Sequence, residues 1–210
     1  HGYSEGPSIK SIEEQGKWVA DVIDAVAMKE ASLVGHSQGC LITLECASQF
    51  PNKVRSLALM GGAGAIPMNP ELLELAEKGD PKAVDLMMDW AHGPAGHFGG
   101  HAVPGLHHIN IGGTIVINGS VKDALGVDFR ACDNYKNGFE AAKKIKCPTI
   151  NILGDKDRMC PVKEGKKLAD SIKSSEIVII ENCGHMILLE EADKALAILK
   201  KFIINHHPSK

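Results

Sequence analysis

The chain has 210 residues, of which 44% are hydrophobic and 23% are charged, and its formal net charge at pH 7 is −3. These proportions are typical of a globular protein with a sizeable core, and they exclude disordered, collagen-like and coiled-coil classes. Basic and acidic residues are mixed along the sequence, so no nucleic-acid partner is predicted. No apolar run approaches the roughly 18 residues of a membrane-spanning helix, so no membrane partner is predicted either.

Cysteine and histidine usage indicates neither disulfides nor a metal. Six cysteines are scattered without a CxxC pair, which favours reduced thiols and a reducing compartment, so a cytoplasmic location is predicted. The chain begins with His1 rather than methionine, so a targeting signal cannot be assessed. Five histidines lie among glycines between residues 92 and 108, but their spacing does not match HExxH. We predict no metal and no cofactor, and expect these histidines to line a substrate pocket.

The first predicted elements form a regular α/β unit. A capping box at Ser11 begins an amphipathic helix that is expected to run to about Lys29. Two short apolar strands, Ser32–Val34 and Val54–Met60, then flank a second helical pattern. Residues 31–60 are therefore predicted to form one βαβ unit with two parallel strands.

The pattern changes in the next part of the chain. Two short helices are predicted after Asn69-Pro70 and Asp80-Pro81, where a capping residue precedes a proline at the first helical position. Residues 93–113 are rich in glycine and lack periodicity. Such a long stretch between regular units is typical of an inserted cap or lid. The predicted organisation is a core segment, a cap and a second core segment, at residues 1–60, 61–146 and 147–210.

The α/β alternation resumes after residue 147. The sequence predicts a strand at Pro148–Gly154, a helix from about Val162 to Ile172, a strand at Glu176–Glu181 and a final helix from Glu190 to about Ile204. Both strands are continuously apolar, which suits parallel strands with helices on both faces. The predicted fold class is therefore α/β, with a mostly parallel sheet.

One motif suggests nucleophilic catalysis. Gly35-His36-Ser37-Gln38-Gly39 is a G-x-S-x-G sequence between a predicted strand and a predicted helix. The flanking glycines permit a sharp turn that would hold the Ser37 hydroxyl above the strand ends. A serine hydroxyl needs a histidine base that an acid orients. Ser37 is the predicted nucleophile, and His36 is expected to pack below the turn in a structural role.

Two later loops carry the candidate base and acid. His185 follows the last predicted strand, and Asp155 and Asp157 follow the strand before it. Because parallel strands present their carboxyl ends at one edge of a sheet, these loops should converge with Ser37. His185 is the predicted base. Either aspartate could be the acid, and either could merely form a turn.

The sequence resembles the α/β-hydrolase superfamily in three features. These are the G-x-S-x-G turn at Gly35–Gly39, the G-x-x-D sequence Gly154–Asp157, and the Gly184-His185 pair before a helix. The resemblance covers nearly the whole chain outside residues 61–146, which correspond to the variable cap of that family. It implies that Asp157 is the acid and that the backbone N–H of Gln38 is an oxyanion donor. It further implies a serine hydrolase that cleaves an ester, thioester, amide or activated carbon–carbon bond of a small molecule through an acyl-enzyme.

Alternatives to this hydrolase are a cofactor-free perhydrolase or haloperoxidase with the same triad, and a non-catalytic binding protein on the same fold. His1-Gly2-Tyr3-Ser4 resembles the loop after the fourth of about eight strands in the family, so only the last four strands are expected here. The strand at Ser32–Gly35 would then be an unpaired edge, and a second oxyanion donor would be missing. Alone, residues 1–210 are expected to associate and to hydrolyse esters at least ~100-fold more slowly than a longer parent.

Overall fold

The computed structural model describes residues 4–97 and 123–207. Four strands form a parallel sheet whose spatial order follows the chain. They are β1 (Ala31–His36), β2 (Val54–Met60), β3 (Thr149–Gly154) and β4 (Ser175–Ile180). The predicted α/β fold with a parallel sheet is confirmed, and every strand boundary lies within two residues of its predicted position.

Ten α-helices lie in the described part of the chain. They are α1 (Ile12–Ala25), α2 (Gln38–Gln49), α3 (Pro70–Glu77), α4 (Lys82–Ala91), α5 (Pro94–His97), α6 (Ala124–Asn134), α7 (Gly138–Ala142), α8 (Val162–Asp170), α9 (Ile187–Glu190) and α10 (Ala192–Asn205). The predicted final helix corresponds to α10, which begins two residues after the expected Glu190, and the short helix α9 that precedes it was not predicted. Glu191, between the two helices, has a non-helical backbone with φ of −137° and ψ of 49°.

Local capping explains where several helices begin and end. The Ser11 hydroxyl accepts a hydrogen bond from the Glu14 amide at 3.2 Å, as the capping box predicts. Asn69 caps α3 through its side-chain oxygen, which accepts two amide hydrogen bonds of the first turn. Helix α1 ends well before the expected Lys29, since Ala27 adopts a left-handed φ of 56° that a helix cannot continue through.

Strand β2 is apolar at nearly every position because both of its faces pack in the core. Leu57 and Leu59 pack in one core cluster with residues of α1, α2, α7 and α8. Ala58 and Met60 point to the opposite face and pack in a second cluster with residues of α9 and α10. Both faces of the strand are therefore buried, as is usual in parallel sheets.

The connection between β2 and β3 runs from residue 61 to residue 148 and contains α3 to α7. Helices α3, α4 and α6 share an apolar cluster of their own, which includes Leu72 and Phe129. Helix α7 instead contributes Ala141 and Ala142 to the sheet-side core. The division at residues 61–146 stays a prediction, and His101, His107 and His108 lie outside the described residues.

Candidate active site

Ser37 lies in the turn between β1 and α2, with φ of 55° and ψ of −122°. L-residues rarely adopt this conformation, so the surrounding contacts must hold it. Its N–H donates to the Met60 carbonyl at 3.0 Å, which ties the turn to the end of β2. A β-carbon at Gly35 would lie 2.3 Å from the Gly39 carbonyl oxygen, whereas one at Gly39 would have open space around it. Of the two glycines that flank the motif, only Gly35 is therefore required by packing.

Asp157 and His185 form a buried pair after β3 and β4. His185 Nδ1 lies 2.8 Å from Asp157 Oδ2, and both side chains are almost fully buried. The other carboxylate oxygen, Oδ1, accepts hydrogen bonds from the Met159 and Cys160 amides at 2.8 and 2.7 Å. The carboxylate is thus fixed through both oxygens. With Nδ1 facing the carboxylate, His185 Nε2 is the nitrogen left to handle a proton, and among the described residues it has no hydrogen-bond partner.

The structure gives different surroundings to the two candidate aspartates, of which the resemblance to the hydrolase family had singled out Asp157. Asp155 accepts a hydrogen bond from the Cys183 amide at 3.2 Å and pairs with Lys156 at 2.8 Å. The hydrogen bond from Lys156 lowers the pKa of Asp155. Its carboxylate therefore joins its own loop to the next one, while Asp157 is the aspartate that faces the ring of His185.

His36 and Gly61 both lie beside His185. His36, which precedes Ser37, donates from Nε2 to the His185 carbonyl at 2.7 Å, and the two imidazole rings are 4.8 Å apart. Gly61, at the end of β2, has a φ of 57°, and a β-carbon there would lie 3.1 Å from His185 Nδ1 and 3.3 Å from Asp157 Oδ2. The loops after all four strands thus meet at one edge of the sheet. The proximity of Gly61 to the pair was not predicted, because that contact depends on tertiary packing.

Burial controls the protonation of the groups beneath the turn. Burial, followed by the nearby His185, lowers the pKa of His36 to about 4, so its ring is neutral at pH 7. Cys40 Sγ donates to the carbonyls of Gly35 and Met60, both at 3.2 Å, and burial raises the pKa of this thiol to about 12. His36 and Cys40 therefore support the turn as neutral hydrogen-bond donors.

Gln38 begins α2, and the Ser37 side chain does not cap the helix. Its side-chain Nε2 donates to Gln15 Oε1 at 3.2 Å, and Gln15 Nε2 donates to Asp128 Oδ1 at 3.2 Å. Burial raises the pKa of Asp128. This network fixes the Gln38 side chain to α1 and α6. The sequence did not predict this network because the three residues are distant in the chain and neither Gln15 nor Asp128 belongs to a motif.

Known proteins share this arrangement of strands. A family model described as the α/β hydrolase fold matches residues 1–96. Over 96% of its length the chain is 26% identical to 2-hydroxymuconate semialdehyde hydrolase of Pseudomonas sp. (strain CF600), and it covers 72% of that protein. A solved structure described as a thermophilic esterase matches with a TM-score of 0.81 and 27% identity, over 98% of this chain and 78% of the other. These matches support assignment to the α/β-hydrolase superfamily, whose fold this chain has.

A second relative of this α/β hydrolase is pimeloyl-[acyl-carrier protein] methyl ester esterase of Neisseria meningitidis serogroup B. It is 26% identical over 96% of this chain and 79% of its own length. The resemblance predicted from the motifs is confirmed, and the chain is a hydrolase of the α/β fold. Within the described residues, no group of three or more histidine, cysteine or acidic side chains could hold a metal ion. No described helix is long and apolar enough to cross a membrane.

Proposed function

We propose that this α/β hydrolase cleaves an ester or a related acyl compound of a small molecule, with Ser37 as nucleophile, His185 as base and Asp157 as the acid that orients it. The buried Asp157–His185 pair carries the proposal, because it directs Nδ1 to the carboxylate at 2.8 Å and leaves Nε2 for proton transfer. Two hydrogen bonds hold the strained Ser37 turn near this pair: His36 donates to the His185 carbonyl, and the Ser37 N–H donates to the carbonyl of Met60, the residue before Gly61.

The proposed reaction proceeds in two halves. Ser37 Oγ attacks the carbonyl carbon while its proton passes to His185 Nε2, and the Asp157 carboxylate stabilises the imidazolium that forms. The oxyanion accepts a hydrogen bond from the Gln38 N–H. When the tetrahedral intermediate collapses, the alcohol leaves with the proton from Nε2 and Ser37 stays acylated. Water then attacks the acyl-enzyme, gives a proton to Nε2, and releases the carboxylic acid as Ser37 regains its proton.

An ester is the substrate class to test first. The Neisseria relative is named as a methyl ester esterase and the solved structure as an esterase, which supports this choice. Cleavage of thioesters, amides and activated carbon–carbon bonds can proceed through the same acyl-enzyme, so these compounds are the second group of substrates to test.

Substitution of each proposed triad member tests the proposal with p-nitrophenyl esters as substrates. Ser37→Ala and His185→Ala should each lower kcat by about 10⁴-fold or more, because triad residues act as a unit. Asp157→Asn should lower kcat by about 10³–10⁴-fold, since the amide disfavours the required tautomer of His185. The matched control is Asp155→Asn, which keeps an oxygen for the Cys183 amide and should change kcat by less than about 3-fold.

Labelling with a fluorophosphonate probe tests the assignment of Ser37 independently of turnover. The wild-type protein should be labelled at Ser37, as identified by peptide mass spectrometry, and Ser37→Ala should not be labelled. Persistent ester hydrolysis in Ser37→Ala, or equal losses in the two aspartate variants, would show that the residues have been assigned wrongly.

A further inference from the structure

One carboxylate outside the proposed triad binds three backbone amides around His185. Glu190 Oε2 accepts hydrogen bonds from the amides of Gly184 and Gly93, both at 2.9 Å, and Glu190 Oε1 accepts one from the Met186 amide at 3.2 Å. Gly184 and Met186 are the two neighbours of His185 in the chain. We infer that Glu190 is a positioning residue that sets the place of the His185 ring.

The hydrogen bond from the Gly93 amide links Glu190 to a distant part of the chain. Gly93 follows α4 in the connection between β2 and β3, far from Glu190 in sequence. The Ala91 carbonyl at the end of α4 also accepts hydrogen bonds from the His185 and Met186 amides, at 2.8 and 3.1 Å. The loop that carries His185 is therefore bonded to α4 by Ala91 and to the segment after α4 by Glu190.

Close backbone packing explains why a carboxylate occupies this position. A β-carbon at Gly184 would lie 2.2 Å from the Gly93 nitrogen, so these two segments approach each other directly. Their two N–H groups converge on a single oxygen of Glu190, an arrangement that an anionic acceptor stabilises better than a neutral one. A glutamine at this position could offer only one acceptor oxygen, and its NH₂ group would face a donor.

The effect on catalysis rests on the proposed function. Asp157 is held independently by the amides of Met159 and Cys160, so it would not follow a displaced histidine loop. Loss of the Glu190 contacts should therefore lengthen the 2.8 Å contact between His185 Nδ1 and Asp157 Oδ2 and move Nε2 away from its working position. A misplacement on the order of 1 Å can cost about 10²-fold in rate.

Glu190→Gln is the principal test, and Glu191→Gln is its matched control. Glu191 is the neighbouring carboxylate and pairs with Lys194 at 3.0 Å instead of with the histidine loop. Glu190→Gln should lower kcat for a p-nitrophenyl ester by about 10- to 100-fold with KM within about 3-fold, whereas Glu191→Gln should match the wild type. Glu190→Asp keeps the charge on a shorter side chain and should show a smaller loss, and it replaces Glu190→Gln if that variant does not fold.

The proton on His185 Nδ1 supplies a readout that does not depend on turnover. Its downfield ¹H NMR resonance, recorded in a Ser37→Ala background, should move or broaden in Glu190→Gln and stay in place in Glu191→Gln. An unchanged kcat, or a lower kcat with an unchanged resonance, would overturn the positioning role. If Ser37→Ala remained active while the resonance still responded to Glu190→Gln, the proposed nucleophile would be wrong and the role of Glu190 in placing the ring would stand.

Discussion

Gly61 offers a sharp test of how the end of β2 supports the Asp157–His185 pair. A β-carbon at this position would lie 3.1 Å from His185 Nδ1, 3.3 Å from His185 Cε1 and 3.3 Å from Asp157 Oδ2. Ordinary contacts between carbon atoms are about 3.5–4.0 Å, so the pair would have to shift by a few tenths of an ångström. In Gly61→Ala the added methyl group is thus aimed at the hydrogen bond on which the proposed mechanism depends.

Two separate costs are expected from Gly61→Ala. The φ of 57° is a left-handed conformation, which costs an L-residue about 1–2 kcal/mol of unfolding free energy. Displacement of the pair should in addition lower kcat by about 10- to 100-fold. Gly79→Ala is the matched control, because Gly79 has a φ of 68° just after α3, where no catalytic group is proposed. Gly79→Ala should therefore lose the same unfolding free energy and keep the wild-type kcat.

Urea unfolding and ester hydrolysis distinguish these two costs. Both variants should lose about 1–2 kcal/mol of unfolding free energy, which corresponds to a few degrees in Tm for a chain of this size. Only Gly61→Ala should lose kcat. If both variants lost activity equally, or if Gly61→Ala kept wild-type kcat, a β-carbon at Gly61 would not displace the Asp157–His185 pair.

Two further predictions concern the Ser37 turn. Ser37→Gly should abolish activity and yet raise the unfolding free energy by about 1 kcal/mol, because glycine relieves the strained φ of 55°. Urea titration checks this, and an unchanged or lower unfolding free energy would show that the turn is not strained. The pKa of His36 is lowered by burial from 6.5 to about 4, so this group contributes stability fully above pH 6.5 and loses it as the pH falls towards 4. Unfolding at pH 7 and pH 4 should show a loss of up to about 3 kcal/mol from this group, and His36→Asn should remove that part of the pH dependence.

The elements of the core were predictable because their signals are local. The apolar strands, the capping box at Ser11 and the proline-led helix after Asn69 each depend on a few adjacent residues. The topological rule for parallel strands was enough to bring Ser37 and His185 to the same edge. Helix α9 was not predictable, because its four residues, Ile187–Glu190, are too few to show a helical period of apolar residues.

What the sequence could not predict depends on contacts between distant segments. The position of Asp155 and Asp157 after a strand did not distinguish them, and Asp157 was chosen only through the resemblance to the hydrolase family. The hydrogen bonds of the folded loops show what each carboxylate contacts. Glu190 follows His185 closely, but its amide partner at Gly93 becomes visible only when α4 is packed beside the loop. The requirement for glycine at Gly35, and its absence at Gly39, likewise follows from interatomic distances in the folded turn.

The spatial order of the strands has a consequence for chain entropy. Strands β2 and β3 are neighbours although residues 61–148 separate them, whereas residues 37–53 separate β1 from β2. Because the entropy of closing a loop grows only with the logarithm of its length, the longer connection costs about 1.5 kcal/mol more than the shorter one. Adding or removing several residues there should change the closure entropy by only about 0.1 kcal/mol. The segment that lies between Gly61 and β3 can therefore vary greatly in length at little thermodynamic cost to the sheet that carries Ser37 and His185.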